Sequence, residues 1–145
     1  MTDRTRIHHV NLMVGDLEAA IEFYGGALGL RALPTPDLGF PAQFFRINDE
    51  QEIHLNQLSD TMPERAHFCL RVEDFTAHVH RMRALGVIET TTWGKARRLP
   101  SGAMQMFVRD PAGNLIELSC ESDDPFDPVI FDDQSIFEPV AHSSP

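Results

Sequence analysis

Histidines and a glutamate recur in this chain at positions that suit metal binding. The stretch His9-Val-Asn-Leu-Met-Val-Gly-Asp16 returns as His67-Phe-Cys-Leu-Arg-Val-Glu-Asp74, and each copy reads His-apolar-x-Leu-x-Val-x-Asp. Further along, Ile-His-Leu at 53–55 is answered by Ile-Glu-Leu at 116–118. Imidazoles with a carboxylate suit a borderline divalent ion such as Zn, Ni, Mn, Co or Fe(II) better than Ca or Mg, whose sites favour oxygen. The repeat therefore predicts a metal site with four ligands: His9, His54, His67 and Glu117.

Alternation of apolar and polar residues predicts that these ligands lie on strands. In the first copy Val10, Leu12 and Val14 fall on one face, whereas His9 and Asn11 fall on the other. The second copy and the two later tripeptides sort in the same way, so all four candidate ligands project from polar strand faces. A lone strand histidine is usually a hydrogen-bonded surface or core residue. The symmetry of the placement is what favours a metal site.

Each copy is followed by the pattern of an amphipathic helix. Apolar residues of Leu17–Leu28 recur at i, i+3, i+4 and i+7, which predicts a helix with Asp16 as its N-cap and Gly29 as the residue that ends it. A second helix is predicted over Phe75–Leu85 and ends at Gly86. Strands follow each helix, so the order of strand, helix and several strands occurs twice.

The second half closes with a hairpin and a tail. A strand is expected near 87–92, then a loop over 94–102, then two strands joined by the turn at Asp110–Asn114. From Glu121 to Pro145 the composition shifts to Asp, Pro and Ser with isolated apolar residues. We expect part of this acidic tail to lie over its own domain or over a neighbouring chain.

Length, composition and charge exclude several classes of protein. The 145 residues are enough for one domain with a sizeable core, and no apolar run approaches the roughly 18 residues of a membrane span. The net charge of -10 opposes the nucleic-acid backbone, so nucleic acid is not expected as a partner. Without a signal-peptide pattern, the protein is expected in the cytoplasm. Cys69 and Cys120 have no metal-type spacing and are expected as free, mostly buried thiols.

The motifs together resemble the vicinal oxygen chelate superfamily. They are His-Val-x-Leu-x-Val-x-Asp-Leu-Glu, Phe23-Tyr24, Leu28-Gly29-Leu30 and Asp110-Pro-x-Gly-Asn-x-Ile-Glu-Leu118. The superfamily includes glyoxalase I, bleomycin and fosfomycin resistance proteins, methylmalonyl-CoA epimerase and extradiol dioxygenases, and the match covers residues 7–120.

This resemblance implies an α+β fold in one domain, 1–120. Two βαβββ modules, about 5–58 and 65–120, would pair into an open, cupped eight-stranded mixed sheet with the helices on the outside. The metal would sit in the cup, with ligands from the first and last strand of each module. This chain holds His9, His54, His67 and Glu117 at those positions.

Position 54 departs from bacterial glyoxalase I, whose ligands resemble His, Glu, His and Glu in this order. The leading hypothesis is a metal-dependent lyase, isomerase or epimerase that chelates two oxygens of a small substrate and stabilises an enolate-like charge, with Glu117 or His54 as the mobile acid or base. The alternative is an Fe(II)-dependent extradiol-type dioxygenase with His9, His67 and Glu117 as ligands. A further alternative is a non-catalytic small-molecule-binding protein of the resistance type.

Other residues are candidates for holding the substrate. Arg97 and Arg98 lie in the Gly-bounded loop of an otherwise acidic chain, where they could bind a carboxylate or phosphate or could simply be solvated. Asn11 shares the polar face of the first strand, and Phe107 could line an apolar pocket. These four residues are the predicted substrate-binding set.

The chain is expected to form a homodimer. Modules of this superfamily pair either within one chain or across two, and the link at 57–66 permits both arrangements. The apolar residues of the tail need cover, so the predicted contact between subunits includes part of 125–139.

Overall fold

Parallel strand pairing organises the first half of the chain. The computed structural model describes residues 7–139, and in it β1 (His9–Val14) lies parallel to β4 (Glu52–Gln57). β3 (Ala42–Arg46) runs antiparallel to β4, and β2 (Arg31–Leu33) runs antiparallel to β3. The sheet order is therefore β1-β4-β3-β2. The predicted alternation holds, because Leu12, Val14, Ile53 and Leu55 are buried on the core side.

The helix of this unit differs from the regular helix predicted over 17–28. α1 (Leu17–Ile21) begins at Asp16, whose side chain accepts a hydrogen bond from the amide of Ala19 as expected of an N-cap, but Glu22–Ala27 continues as a π-helical turn. Residues 23 and 24 are adjacent aromatic residues that are both buried, and the wider turn lets both enter the core. Gly29, at φ 73°, ends the segment as predicted.

The second half repeats the arrangement with one additional strand. β5 (His67–Arg71) is parallel to β9 (Leu115–Cys120), and β8 (Met104–Arg109) is antiparallel to β9. Two short strands pair with the other edge of β8, and these are β6 (Ile88–Glu89) and β7 (Arg97–Arg98). α2 (Phe75–Leu85) precedes them and ends at Gly86 as predicted.

The α+β class is confirmed. The order is βαβββ in the first half and the same with one additional strand in the second, so residues 7–139 hold nine strands rather than eight. The first compact unit ends at Met62 and the second begins at Pro63, inside the predicted link. The pairing of the two modules into one cup stays a prediction. No helix over residues 7–139 is long and apolar enough to cross a membrane.

The strand predicted near 87–92 ends at Glu89, where hydrogen bonds to the Glu89 carboxylate turn the chain. The Glu89 carboxylate accepts hydrogen bonds from the amide and hydroxyl of Thr91, at 2.6 and 2.7 Å, and from the amide and hydroxyl of Thr92, both at 3.1 Å. Arg109 Nε donates to it at 3.1 Å. These bonds turn the chain away from β8 after residue 89, and the chain returns as β7 within the stretch predicted as a loop. Burial raises the pKa of Glu89, but the bonds from Thr91 and Thr92 outweigh it and lower that pKa to about 2.

The described part of the acidic tail packs on the second unit. Its 3₁₀-helix, Pro128–Asp132, buries Ile130, and the following turn buries Ile136 and Phe137. Phe137 forms a parallel bridge with Ala96 beside β7. The apolar residues that suggested a subunit contact over 125–139 are therefore largely covered within the same chain. The homodimer itself stays a prediction, and residues 140–145 of the predicted tail lie outside the described residues.

The two cysteines are free, as expected. Cys120 is buried, but the prediction that both thiols are mostly buried is wrong for Cys69, which is exposed. The difference follows from strand alternation, because Cys69 shares the polar face of β5 with His67.

We expect Phe137→Ala to lower the free energy of unfolding by about 3–5 kcal/mol, since it removes a fully buried aromatic side chain. Val129→Ala, at a position in the same segment that is 51% exposed, should change it by less than about 0.5 kcal/mol. Urea denaturation followed by circular dichroism measures both. Equal, small effects would show that the segment adds nothing to the stability of the unit.

Acid should expose the contribution of Glu89. A carboxylate whose pKa is lowered by folding stabilises the fold above its unfolded pKa, near 4.5, and loses that contribution as the pH falls to about 2. The unfolding free energy of the wild type should therefore fall more steeply between pH 5 and 2 than that of Glu89→Gln, with a difference of roughly 2–3 kcal/mol across this range. Glu73→Gln, which alters an exposed carboxylate, is the control. Parallel curves for the wild type and Glu89→Gln would contradict the assignment.

Candidate metal centre

The second unit brings together two of the predicted ligands. His67 Nε2 lies 3.3 Å from Glu117 Oε2, and the opposite ring nitrogen, Nδ1, lies 3.0 Å from the carbonyl oxygen of Arg65. A carbonyl oxygen only accepts, so Nδ1 carries the proton of this bond and Nε2 of a neutral ring presents a lone pair. Two acceptors, Nε2 and Oε2, then face each other. These two atoms can therefore share a cation, either a proton or a metal ion.

Strand register fixes this pair. β5 and β9 are parallel, with Cys69 opposite Glu117 and His67 two residues before Cys69 on the same face. The other carboxylate oxygen, Oε1, accepts a hydrogen bond of 2.9 Å from Nε2 of Gln105 on β8. Gln105 therefore holds one oxygen of Glu117, whose side chain remains 15% exposed.

Aromatic rings surround His67. The ring centroids of Phe107 and Trp93 lie 5.2 and 5.8 Å from that of His67, both edge to face. The guanidinium of Arg65 lies over the Trp93 ring, 5.0 Å from its centroid, and Trp93 is 44% exposed. Phe107 is buried, and its ring packs against that of His67. Its predicted contact with a substrate stays a prediction.

The first unit arranges its two histidines differently. The His54 ring is stacked between Phe44, at 3.5 Å between centroids, and His9, at 4.2 Å. Its Nε2 lies 2.8 Å from Glu52 Oε2. The hydrogen bond with His54 lowers the pKa of Glu52, and burial together with the neighbouring His54 lowers the pKa of His9. Parallel stacked rings do not direct their nitrogens at one point, so His54 is arranged here as a partner of Glu52.

The structure thus places the four predicted ligands in two pairs, one in each unit. Over residues 7–139 no three His, Cys, Asp or Glu side chains lie close enough together to hold a metal ion. The His67 and Glu117 pair fits a metal in its donor types and in the anchoring of its outer atoms. The complete set of four ligands stays a prediction.

The predicted substrate-binding residues lie at two further places. Asn11 accepts a hydrogen bond from the amide of Asn56, which is 5% exposed and whose own Oδ1 has no hydrogen-bond partner among the described residues. Arg97 and Arg98 line a cavity of about 640 Å³ together with Phe131. Arg97 donates from Nε to Gln105 at 3.3 Å. The Arg98 guanidinium lies over the ring of Phe126.

Four residues of the site were not singled out from the sequence: Glu52, Asn56, Trp93 and Gln105. The signal for Glu52 and Asn56 was present, because each lies two residues from His54 on the same strand face. Gln105 becomes recognisable only through the antiparallel register of β8 and β9, and Trp93 lies in a loop without periodicity.

Comparison with known proteins decides the family. The sequence model of the Glyoxalase/Bleomycin resistance protein/Dioxygenase superfamily matches residues 6–118. The chain belongs to this superfamily. The predicted resemblance, which covered residues 7–120 and carried the predicted fold class, is confirmed.

Relatives within the superfamily include lactoylglutathione lyases. That of Haemophilus influenzae is 31% identical over 123 residues, which cover 77% of this chain and 90% of the relative. The lactoylglutathione lyase GLX1 of Arabidopsis thaliana is 28% identical over 127 residues, 80% of this chain but 44% of the relative. The chain thus spans less than half the length of the plant relatives that it matches.

Solved structures show the same fold. The structure of lactoylglutathione lyase from Agrobacterium tumefaciens aligns with a TM-score of 0.62 at 24% identity, over 86% of this chain and all of the other. The fosfomycin resistance protein FosX from Listeria monocytogenes aligns with a TM-score of 0.63 at 20% identity, over 80% of this chain and 93% of the other.

Glu117→Ala should remove metal binding while leaving the second unit folded, because this side chain lies on the polar face of β9. The only tryptophan, Trp93, lies beside His67, so its fluorescence should be quenched when Ni²⁺ or Co²⁺ binds there. We expect an affinity at least roughly 100-fold weaker and a free energy of unfolding within about 1 kcal/mol of the wild type. Glu121→Ala, four residues further along at an exposed position, should bind metal like the wild type. A Glu117→Ala protein that fails to fold would make Glu117 a structural residue.

Proposed function

We propose that this chain is a divalent-metal-dependent enzyme of the glyoxalase type, a lyase, isomerase or epimerase, that acts on a small substrate with two vicinal oxygens. The observation that supports it most is the His67 and Glu117 pair, in which two acceptors face each other with their outer atoms already anchored. The lactoylglutathione lyases among the relatives support the reaction class.

His9, His54, His67 and Glu117 are the residues proposed to hold the ion, as the superfamily resemblance implies. When bound, the ion would act as a Lewis acid toward negative charge that develops on the substrate oxygens. Glu117 is the proposed proton carrier at Oε2, since Oε1 is already engaged by Gln105. His54 is the second candidate acid or base, and it is held at Nε2 by Glu52.

The amide pair of Asn11 and Asn56 supports a role for Asn11 in substrate binding. A buried carbonyl oxygen without a partner costs roughly 1–3 kcal/mol, and a substrate hydroxyl or amide N–H at Asn56 Oδ1 would recover part of it. Arg97 and Arg98, at the wall of their cavity, suit an anionic end of a substrate. These proposed contacts are the basis for what we infer about the substrate beyond its two vicinal oxygens.

One observation favours the dioxygenase alternative. In that reading His9, His67 and Glu117 hold Fe(II), and His54 stands apart as the acid or base. The hydrogen bond between His54 and Glu52 agrees with this separation, because the carboxylate engages Nε2 and only Nδ1 is left to bind a metal. A carboxylate that accepts from a histidine is also a common way to orient a catalytic imidazole.

Two assays separate these functions. Lactoylglutathione is the glutathione thioester of lactate, so a lactoylglutathione lyase activity interconverts it with methylglyoxal and glutathione. We expect thioester formation, followed by ultraviolet absorbance, to require a divalent ion and to be lost on treatment with a chelator.

Glu52→Gln should reduce the turnover number by roughly 10-fold to 100-fold if His54 transfers a proton, and Glu50→Gln, on the adjacent turn, is the control.

Oxygen uptake with catechols and Fe(II), in the absence of thioester formation, would replace the leading proposal by the dioxygenase. Metal binding without turnover of either substrate class would favour the non-catalytic binding protein. If the wild type takes up no Zn, Ni, Mn, Co or Fe(II), metal dependence is wrong.

A further inference from the structure

A chain of polar contacts leads from the surface to Glu117. Arg97 Nε donates to Gln105 Oε1 at 3.3 Å, and Gln105 Nε2 donates to Glu117 Oε1 at 2.9 Å. Glu117 Oε2 lies 3.3 Å from His67 Nε2. All four side chains lie on one face of the sheet, because β7 pairs with β8 at Arg97 and Gln105, and β8 pairs with β9 directly beside Glu117.

Arg97 decides which way the Gln105 amide points. A side-chain amide has one end that accepts and one that donates, and the two orientations have nearly the same shape. Arg97 can only donate, so the carbonyl end of Gln105 turns toward it and the NH₂ end must face Glu117. With the reverse orientation the carbonyl would meet the carboxylate, and two acceptors would oppose each other.

Gln105 in turn decides which oxygen of Glu117 is available. Its N–H occupies Oε1, and a hydrogen bond to a charged acceptor is among the stronger ones in proteins. Oε2 is left as the oxygen that faces His67. A carboxylate fixed in this manner presents one defined oxygen to a metal ion or a proton.

The first unit has no side chain that corresponds to Gln105 at the equivalent strand position. Phe107 on β8 is the register partner of Glu117, as Phe44 on β3 is the partner of His54. Two residues earlier on each strand stand Gln105 in the second unit and Ala42 in the first. Ala42 has no polar side chain, so the contact belongs to the carboxylate ligand and not to the repeated fold.

We propose that Gln105, oriented by Arg97, is a positioning residue that holds Glu117 with Oε2 directed toward the metal and toward His67. The role in metal binding rests on the proposed function, whereas the positioning of the carboxylate does not. It also gives Arg97 a role other than the substrate contact suggested by its cavity.

The positioning is tested first in metal-free protein. Gln105→Met keeps the length of the side chain and removes the amide, so the ¹³Cδ chemical shift of Glu117 and the Nε2 shift of His67 should both change. Gln43→Met is the matched control, since it makes the same replacement at a half-buried strand glutamine that binds the carbonyls of Leu33 and Phe44. Gln43→Met should leave both signals in place. Unchanged signals in Gln105→Met would overturn the proposal.

Metal affinity gives the second measurement, read from Trp93 fluorescence during titration with Ni²⁺. We expect Gln105→Met to weaken binding by roughly 10-fold to 100-fold, the usual effect of losing a group that orients a metal ligand, and Gln43→Met to have no effect. Arg97→Ala should weaken it by a smaller factor, roughly 3-fold.

A variant that combines Arg97→Ala with Gln105→Met shows whether Arg97 acts through Gln105 or independently of it. If Arg97 acts through Gln105, Arg97→Ala adds nothing in the Gln105→Met background. Additive losses would mean that Arg97 acts independently, which would overturn the relay. If the wild type binds no metal, the metal part of the proposed function is wrong, and the Glu117 and His67 signals alone decide whether Gln105 positions the carboxylate.

Discussion

The site depends on the parallel register of two strand pairs, β1 with β4 and β5 with β9. In each pair the last strand carries an Ile-x-Leu motif whose two apolar side chains are fully buried, so the residue between them must emerge on the opposite face. A slip of one residue would expose Ile116 and Leu118 and bury Glu117. Burying one such aliphatic side chain is worth about 1.5–3 kcal/mol, which exceeds the roughly 1 kcal/mol of a typical side-chain hydrogen bond. Packing of the apolar core, and not the polar contacts, therefore determines where the candidate ligands His54 and Glu117 lie.

What the sequence could predict follows from the same constraint. Period-two alternation and the repeat located every candidate ligand on the correct strand face, and Gly29 and Gly86 located the helix ends. Features that depend on contacts between side chains were beyond such patterns. The π-helical turn arises because two adjacent aromatic residues both enter the core. The short β7 arises because the Glu89 carboxylate turns the chain after β6. Neither leaves a periodic signal.

The sequence predicted that the four candidate ligands lie on polar strand faces, but it did not predict their arrangement in two pairs. Sequence symmetry treats His54 and Glu117 as equivalents, and the strands do place them equivalently. Their surroundings differ, because His54 is held by Glu52 of its own strand and Glu117 by Gln105 of the neighbouring strand. The two halves thus place these candidate groups at equivalent backbone positions, and each half holds its group by a different contact. In the first half, Glu52 binds the imidazole of His54 on the same strand, β4. In the second half, the amide of Gln105 on β8 binds the carboxylate of Glu117 on β9.

The bridge between Ala96 and Phe137 also bears on how the chain folds during synthesis. The contacts that define the first unit all lie within residues up to Met62, whereas the second unit closes its edge with a segment more than 40 positions further along than Ala96. A ribosome delivers the first unit before the second, so every residue within the first unit has been synthesised while translation of the second continues. The second unit acquires Ile136 and Phe137 only after these residues have left the ribosome. Until then, the side of the unit that these two residues cover is an exposed apolar surface of the nascent chain. Protection by a chaperone would matter most during this interval.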